Sequence, residues 1–239
     1  MSFLAAVLTW LGQPERWQGV DSIPNRVAEH LLMSGVALAL AILIALPVGI
    51  ALGHYGKGDV VAINIANIGR ALPSLALLAL CLPLAFALGL GLGFWPTMFA
   101  LVPLGIPPIV TNSYAGLRAV DRDIVEVARG MGMQDRQVLR RTEIPIAAPI
   151  IIAGIRNSAV AIVATATLGA VVASGGLGRY IVDGLARQEE TRIFVGAVLV
   201  ALLAILIEVG FGIFERLVVS PGVQAQQRRD EAAWTAGAR

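Results

Sequence analysis

The stretch LLMSGVALALAILIALPVGIALG, residues 31–53, decides the fold class of this chain. It carries no charged side chain, and it exceeds the roughly 20 apolar residues that a helix needs to cross a bilayer. The whole composition agrees, because 57% of the 239 residues are hydrophobic and only 14% are charged, with a mean hydropathy of +0.78. A soluble domain carries about 25% charged residues. The sequence therefore predicts an integral membrane protein.

Apolar blocks of similar length recur along the chain and predict an all-α protein with about five membrane spans. They cover residues 28–53, 60–90, 94–117, 146–172 and 192–218. The second block contains Pro73 and Pro83, so it is either one tilted, bent helix, or two short helices or a re-entrant pair that would change the count, with six spans as the alternative. We favour the single bent helix, since neighbouring helices can satisfy the carbonyl groups that a proline frees.

Pairs of small residues four positions apart predict close helix contacts, because they let backbones approach each other in lipid. These pairs are Gly49 with Gly53, Gly89 with Gly93, and Gly154 with Ser158.

Arginines between and after the spans predict the orientation, since cytoplasmic loops carry an excess of Lys and Arg. One group lies between the third and fourth blocks and another follows the fifth block. The residues are Arg118, Arg122, Arg129, Arg136, Arg140, Arg141, Arg216, Arg228, Arg229 and Arg239. With five crossings both groups face the cytoplasm. We therefore expect a multi-pass protein of the inner or plasma membrane, with its N-terminus outside and its C-terminus inside.

The chain divides into three predicted parts. Residues 1–27, with Trp10 and Trp17 as aromatic anchors, form an extracytoplasmic or interfacial segment. Residues 28–219 form the membrane domain, which includes a long polar loop at residues 121–145. Residues 220–239 are polar and rich in small residues, and we expect them to form a disordered cytoplasmic tail.

The polar loop DRDIVEVARGMGMQDRQVLRRTEIP, residues 121–145, is too long for a simple turn and too polar for a span. Apolar residues at helical spacing predict a short amphipathic helix in its first half. They are Ile124, Val127, Ala128 and Met131.

Capping and turn residues set the limits of this helix and its neighbour. Asp121 can cap the start of the first helix, and Gly130 and Gly132 permit a sharp turn after it. A second short helix is expected from Asp135, and Pro145 is expected to open the fourth span.

The same loop resembles the cytoplasmic signature of binding-protein-dependent ABC importer permeases. Glu126-Val127-Ala128 stands at the first triplet of that signature, Gly132 at its glycine, and Ile144-Pro145 at its end. The departures are Val127, where the family has alanine, and Thr142, where it has isoleucine. The resemblance extends over residues 28–218. Within that range, residues 64–80 and 174–185 are similar to the permeases of osmoprotectant importers and, less closely, of methionine importers.

This resemblance implies a permease subunit that imports glycine betaine, choline, carnitine or a similar compound. It also implies cytoplasmic ATPase subunits, a second permease chain, identical or related, and an extracytoplasmic binding protein. Glu126 would contact the groove of the ATPase, Ala128 would allow close approach, and Gly132 would form the turn, with Ile144 and Pro145 completing the coupling segment. ATP would be bound by the partner, so no cofactor is expected on this chain, and lipid rather than nucleic acid would surround it.

Candidate catalytic and metal-binding groups are sparse in the sequence. Gly56-Lys57-Gly58 lacks the flanking residues of a nucleotide-binding loop, and His30 and His54, at either end of the first span, are expected at the membrane interface. Arg70 and Arg156 lie within or beside apolar spans, where they either line a translocation pathway or extend toward the cytoplasmic face. A membrane-embedded enzyme and a passive channel are the alternative functions, and a methionine-type importer is the alternative substrate class.

Overall fold

A computed structural model describes residues 3–56 and 58–218, and this part of the chain consists of helices and connecting turns. The α-helices are α1 (Phe3–Leu11), α2 (Ile23–Tyr55), α3 (Asp59–Ala71), α4 (Ser74–Ala87), α5 (Phe94–Arg118), α6 (Arg122–Gly130), α7 (Asp135–Val138), α8 (Ile144–Thr165), α9 (Gly178–Arg187) and α10 (Glu190–Val218). The all-α prediction is confirmed. The predicted tail, residues 220–239, lies outside the described residues.

Four helical stretches in the described part are long and apolar enough to cross a membrane. They are α2, α5, α10 and a continuous run from Asp135 to Val172 of 38 residues. This long run joins α7, a π-helical turn (Leu139–Glu143), α8 and a 3₁₀ segment (Ala166–Val172). The second short helix predicted for the polar loop is therefore not a separate element, because it continues directly into the fourth span.

The second apolar block differs from the single bent helix that we favoured from the sequence. It is divided into α3 and α4, whose axes differ by 92°. The break falls at Leu72 and Pro73, where Leu72 is extended with φ −79° and ψ 115°. Proline disfavours a helical conformation in the residue before it, so the block bends here. The pair is a broken span or a re-entrant loop, which gives four or five spans in the described residues.

Helix α5 lies at the centre of the bundle and packs against α2, α8, α3 and α4. Gly49 and Gly53 of α2 permit the closest approach, because a Cβ atom at either position would lie 2.7 Å and 2.8 Å from the Cβ atoms of Ser113 and Leu117. The predicted contact by this pair is confirmed.

The other two small-residue pairs have different outcomes. Gly154 and Ser158 do pack α8 on α5, and the Ser158 hydroxyl donates to the carbonyl of Gly105 at 2.8 Å. Gly89 and Gly93 make no helix contact, since both lie in the turn between α4 and α5 with positive φ angles of 71° and 99°. Their spacing reflects a turn, and that part of the prediction is wrong.

Helices α1 and α9 pack against α10 at the end of the bundle where α2 begins. The Trp10 ring of α1 meets the Tyr180 ring of α9 edge-on, with their centroids 5.7 Å apart. Ser22 caps α2 by accepting from the backbone N–H of Asn25, and a proline in the first turn fits the free N-terminal positions of the helix. We call this region the α9 end of the bundle, and the opposite region, where α6 lies, the α6 end.

Candidate functional site

The polar loop at the α6 end folds into the short amphipathic helix that its sequence predicts. The Asp121 carboxylate accepts from the backbone N–H of Asp123 at 2.9 Å and caps the start of α6. After α6 ends at Gly130, the chain reverses at Gly132, whose φ of +85° is a conformation that L residues rarely adopt. The turn closes with the N–H of Met133 donating to the carbonyl of Ala128 at 3.2 Å.

One face of α6 is apolar and uncovered. The side chains of Ile124, Val127 and Met131 are 44%, 61% and 73% exposed, and we call these three residues the apolar stripe. They line a shallow groove of ≈ 360 Å³ together with Met133 and other neighbours. Exposed apolar side chains grouped on one helix face make this stripe a candidate for contact with a partner.

The opposite side of α6 is polar and faces a second cavity. This cavity, of ≈ 440 Å³, lies between α6 and the ends of α2 and α5. Its charged lining comprises His54, Arg118, Arg122, Glu126, Arg129 and Glu143. Arg129 also pairs with Asp135 across the turn at 3.1 Å, which connects α6 to the beginning of the long helical run.

A buried contact between an imidazole and a carboxylate ties the α6 end to the first span. The imidazole of His54, at the end of α2, contacts the carboxylate of Glu143 in the π-helical turn, and both side chains are buried. We expected His54 at the membrane interface, and the sequence gave no reason to pair it with Glu143. The two residues are 89 positions apart, so no local pattern could have revealed the contact.

The predicted ATPase-coupling residues occupy different positions on this element. Glu126 is exposed on the polar side of α6, whereas Ala128 is buried and lines the groove beside the apolar stripe. Gly132 forms the turn. Ile144 and Pro145 lie in the first turn of α8, where Ile144 is half-buried and Pro145 is exposed.

The two arginines predicted near the translocation pathway are in separate places. Arg70 belongs to α3, and its side chain lies outside the described part of the molecule. Arg156 lies in the middle of α8 and faces α10, where it contacts Glu208 and Glu215. The structure therefore does not bring Arg156 to the coupling element.

A polar network at the α9 end joins the loop before α9 to the start of α2. The Glu29 carboxylate accepts from the N–H of Gly176 at 2.8 Å and pairs with Arg26, which also contacts Asp21. The Tyr180 hydroxyl donates to the carbonyl of Asp21 at 2.6 Å. Burial raises the pKa of this phenol, so it remains protonated and able to donate near neutral pH.

His30 belongs to the same end of the bundle and is fully buried rather than interfacial as expected. Its Nε2 atom lies 2.9 Å from the carbonyl oxygen of Val163 in α8. A histidine in this position links α2 to α8 by a hydrogen bond, and its side chain has a structural role.

The sequence pattern of the binding-protein-dependent transport system inner membrane components matches residues 37–220. Among similar proteins is the glycine betaine/carnitine/choline transport system permease protein OpuCB of Bacillus subtilis (strain 168). It is 40% identical over 202 residues, which cover 84% of this chain and 91% of that protein. The choline transport system permease protein OpuBB of the same organism is 40% identical over 196 residues, covering 82% and 88%.

A solved structure supports the arrangement of the helices. A chain of the MetNI methionine ABC transporter in an inward-facing conformation superposes with a TM-score of 0.74. The match covers 87% of this chain and 100% of that chain at 24% sequence identity. At this identity the likeness establishes the fold.

Proposed function

This chain belongs to the family of binding-protein-dependent transport system inner membrane components, and we propose that it carries glycine betaine, choline, carnitine or related osmoprotectants. It is a transport subunit of an ABC importer and not an enzyme. The substrate proposal is supported by the two relatives at 40% identity, whose names specify these compounds. The methionine transporter shares the fold at 24% identity, so it does not favour methionine as the substrate.

The uncovered apolar stripe on α6 is the observation that most directly supports ATP-driven transport. Fully burying an aliphatic side chain contributes roughly 1.5–3 kcal/mol, so covering Ile124, Val127 and Met131 would favour a protein partner by several kcal/mol. We infer that the partner is the ATPase subunit and that the stripe enters its groove. A passive channel would leave this surface without an occupant.

The contacts of α6 explain how a force applied to the apolar stripe would be transmitted to the membrane spans. Helix α6 joins the long run Asp135–Val172 through the short turn at Gly132 and the Arg129–Asp135 pair. The His54–Glu143 pair joins the same run to α2. Movement of α6 would therefore be transmitted to α8 and α2 together, and these are the helices that pack most extensively on α5.

The arrangement of the remaining partners follows from the orientation. The arginine-rich α6 end would face the cytoplasm and its ATPases, and the N-terminus and the α9 end would lie outside. A binding protein would deliver the substrate at the α9 end. A second permease chain would cover polar side chains that this chain exposes at membrane depth, such as Asn157 of α8.

Reconstitution tests the proposed function directly. The chain is placed in proteoliposomes with the ATPase subunit and the binding protein of its transport system, and uptake of labelled glycine betaine and choline is measured. We expect uptake only with internal ATP and binding protein, inhibited by excess glycine betaine and not by methionine. Uptake without ATP would support a channel, and methionine-specific uptake would overturn the proposed substrate class.

A charge within the apolar stripe tests the docking surface. Val127→Asp should abolish substrate-stimulated ATP hydrolysis and uptake, because docking would bury the new carboxylate in an apolar contact. Val127→Ile is the matched control, since it retains an apolar side chain at the same 61% exposed position. If both variants hydrolyse ATP and transport normally, the stripe is not the docking surface.

A further inference from the structure

Three ionisable side chains meet between α8 and α10, away from the coupling element. The Nε atom of Arg156 lies 3.4 Å from a carboxylate oxygen of Glu208, and its Nη1 atom lies 3.4 Å from one of Glu215. The side chains of Arg156, Glu208 and Glu215 are 28%, 49% and 27% exposed. Two carboxylates face one guanidinium group, so the cluster has an excess of negative charge.

The cluster joins two of the helical stretches that are long and apolar enough to cross a membrane. Glu208 follows the first residue of α10, Glu190, by 18 positions, which is about 27 Å along a helix axis. Arg156 follows the first residue of α8, Ile144, by twelve positions, or about 18 Å. Arg156 and Glu208 therefore lie in the interior of two predicted spans, and Glu215 lies about two helical turns beyond Glu208.

The contacts within the cluster leave its polar groups incompletely satisfied. Charge-assisted hydrogen bonds between nitrogen and oxygen are typically about 2.7–2.9 Å long, shorter than the 3.4 Å contacts of Arg156. The Nε atom of Arg156 is buried and has no hydrogen-bond partner among the described residues. A small ionic ligand could therefore improve the pairing of both the guanidinium group and the carboxylates.

An aromatic residue lies on the same face of α10 as the two glutamates. Phe211 follows Glu208 by three positions and precedes Glu215 by four, so the three side chains share one helix face. Quaternary ammonium groups bind aromatic rings and carboxylates because both present negative electrostatic potential. Phe214, whose ring centroid is 6.5 Å from that of Phe211, lies farther round the helix.

This face cannot be exposed to lipid tails. Charged residues within membrane spans face a bundle interior or a water-filled cavity, because hydrocarbon does not solvate them. Glu208 is half-exposed, and Asn157, the residue after Arg156, is also exposed on α8. Two polar positions on adjacent helices therefore require water or a second chain beside them.

We propose that Arg156, Glu208, Phe211 and Glu215 form a transient binding site for zwitterionic quaternary amines along the translocation pathway. The carboxylates and the Phe211 ring contact the quaternary ammonium group, and Arg156 contacts the carboxylate of the substrate. The inference rests on the proposed function and adds a substrate site within the membrane. Choline has no carboxylate, so its passage depends on Glu208 and Glu215 but not on Arg156 as a substrate contact.

Uptake of two substrates that differ in charge tests this site. In proteoliposomes containing the complete transporter, initial rates of labelled glycine betaine and choline are compared at saturating binding protein. Arg156→Gln should reduce glycine betaine uptake relative to choline uptake by roughly tenfold or more, as expected for loss of a charged hydrogen bond. Glu208→Gln should reduce the uptake of both compounds. Equal losses for both substrates in Arg156→Gln would indicate a purely structural charge cluster and overturn the proposal.

A second pair of variants covers the case in which Arg156→Gln fails to fold. Phe211→Leu should lower the initial uptake rates of both compounds several-fold at saturating binding protein, because the ring contact with the ammonium group is lost. Phe214→Leu is the matched control and should leave both rates unchanged. If the two variants behave alike, the site is refuted. If the wild-type transporter imports neither compound, the proposed function fails instead.

Discussion

The two ends of the bundle are built differently. At the α9 end, the loop before α9 is held on α2 by bonds such as Gly176 to Glu29 and Tyr180 to Asp21, and the rings of Trp10 and Tyr180 are in contact. At the α6 end, the apolar stripe is uncovered and a polar cavity lies between α6 and the ends of α2 and α5. The α9 end is held together by contacts within the chain, whereas the α6 end has an uncovered apolar stripe and an open polar cavity.

Adding a methyl group at the α9 end should have the largest effect on stability of all the substitutions that test this difference. A Cβ atom at residue 178 would lie 2.2 Å from the carbonyl oxygen of Thr167, and backbone atoms cannot move aside easily. Gly178→Ala should therefore lower the free energy of unfolding by more than about 3 kcal/mol, above the usual cost of overpacking. Thermal unfolding of the protein in detergent measures the change.

The matched control lies at the α6 end. A Cβ atom at residue 130 would meet no atom within 4 Å, and Gly130 does not have a positive φ. Gly130→Ala should therefore leave the unfolding temperature nearly unchanged. Similar destabilisation by the two substitutions would contradict the contrast between a tightly packed end and an open one.

Breaking the buried pair at the α6 end should have the next largest effect. His54→Ala leaves the buried Glu143 carboxyl group without its hydrogen-bond partner, which typically costs roughly 1–3 kcal/mol. The double variant His54→Ala/Glu143→Ala should recover part of the stability, because it removes the unpaired group. Unfolding temperatures of the single and double variants give the coupling energy. Strict additivity of the two losses would show that the pair does not tie the π-helical turn to α2.

A smaller and more local effect is expected at the turn after α6. Gly132→Val places a branched side chain at a φ of +85°, which costs roughly 1–2 kcal/mol. Because no atom lies near a Cβ at this position, the cost is conformational and should reorient α6 rather than unfold the bundle. We expect weak ATPase stimulation at a nearly unchanged unfolding temperature. Gly132→Asn should retain more activity, since asparagine tolerates this conformation better.

The smallest effect should come from one hydrogen bond at the α9 end. Tyr180→Phe removes the donor to the Asp21 carbonyl but retains the ring against Trp10, so a loss of about 1 kcal/mol is expected. The unfolding temperature should fall slightly, with unchanged ATPase coupling. A selective loss of coupling without destabilisation would show that the α9 end also takes part in transmitting motion.

Much of the fold could be predicted because its determinants are local. Apolar length identified the spans, and the spacing from Asp121 to Gly132 identified α6 and its turn. The break at Pro73 was harder to predict, since a proline inside a membrane helix can bend it or divide it. Pro83 lies within α4 without ending it, while Pro73 divides the block.

The interactions that the sequence did not reveal join distant positions. Glu143 meets His54 from 89 residues away, and Glu215 meets Arg156 from 59 residues away. No periodicity connects such partners, because the contacts depend on how the helices pack.

We expect the continuous helical run from Asp135 to Val172 to move as one rigid rod. Its 38 residues extend roughly 57 Å at 1.5 Å per residue, nearly twice the thickness of the hydrocarbon core. A tilt of roughly 10° about the midpoint of such a rod displaces its two tips by about 5 Å in opposite directions. Because the two tips move in opposite directions, such a tilt widens the space beside the helix on one side of the membrane and narrows it on the other.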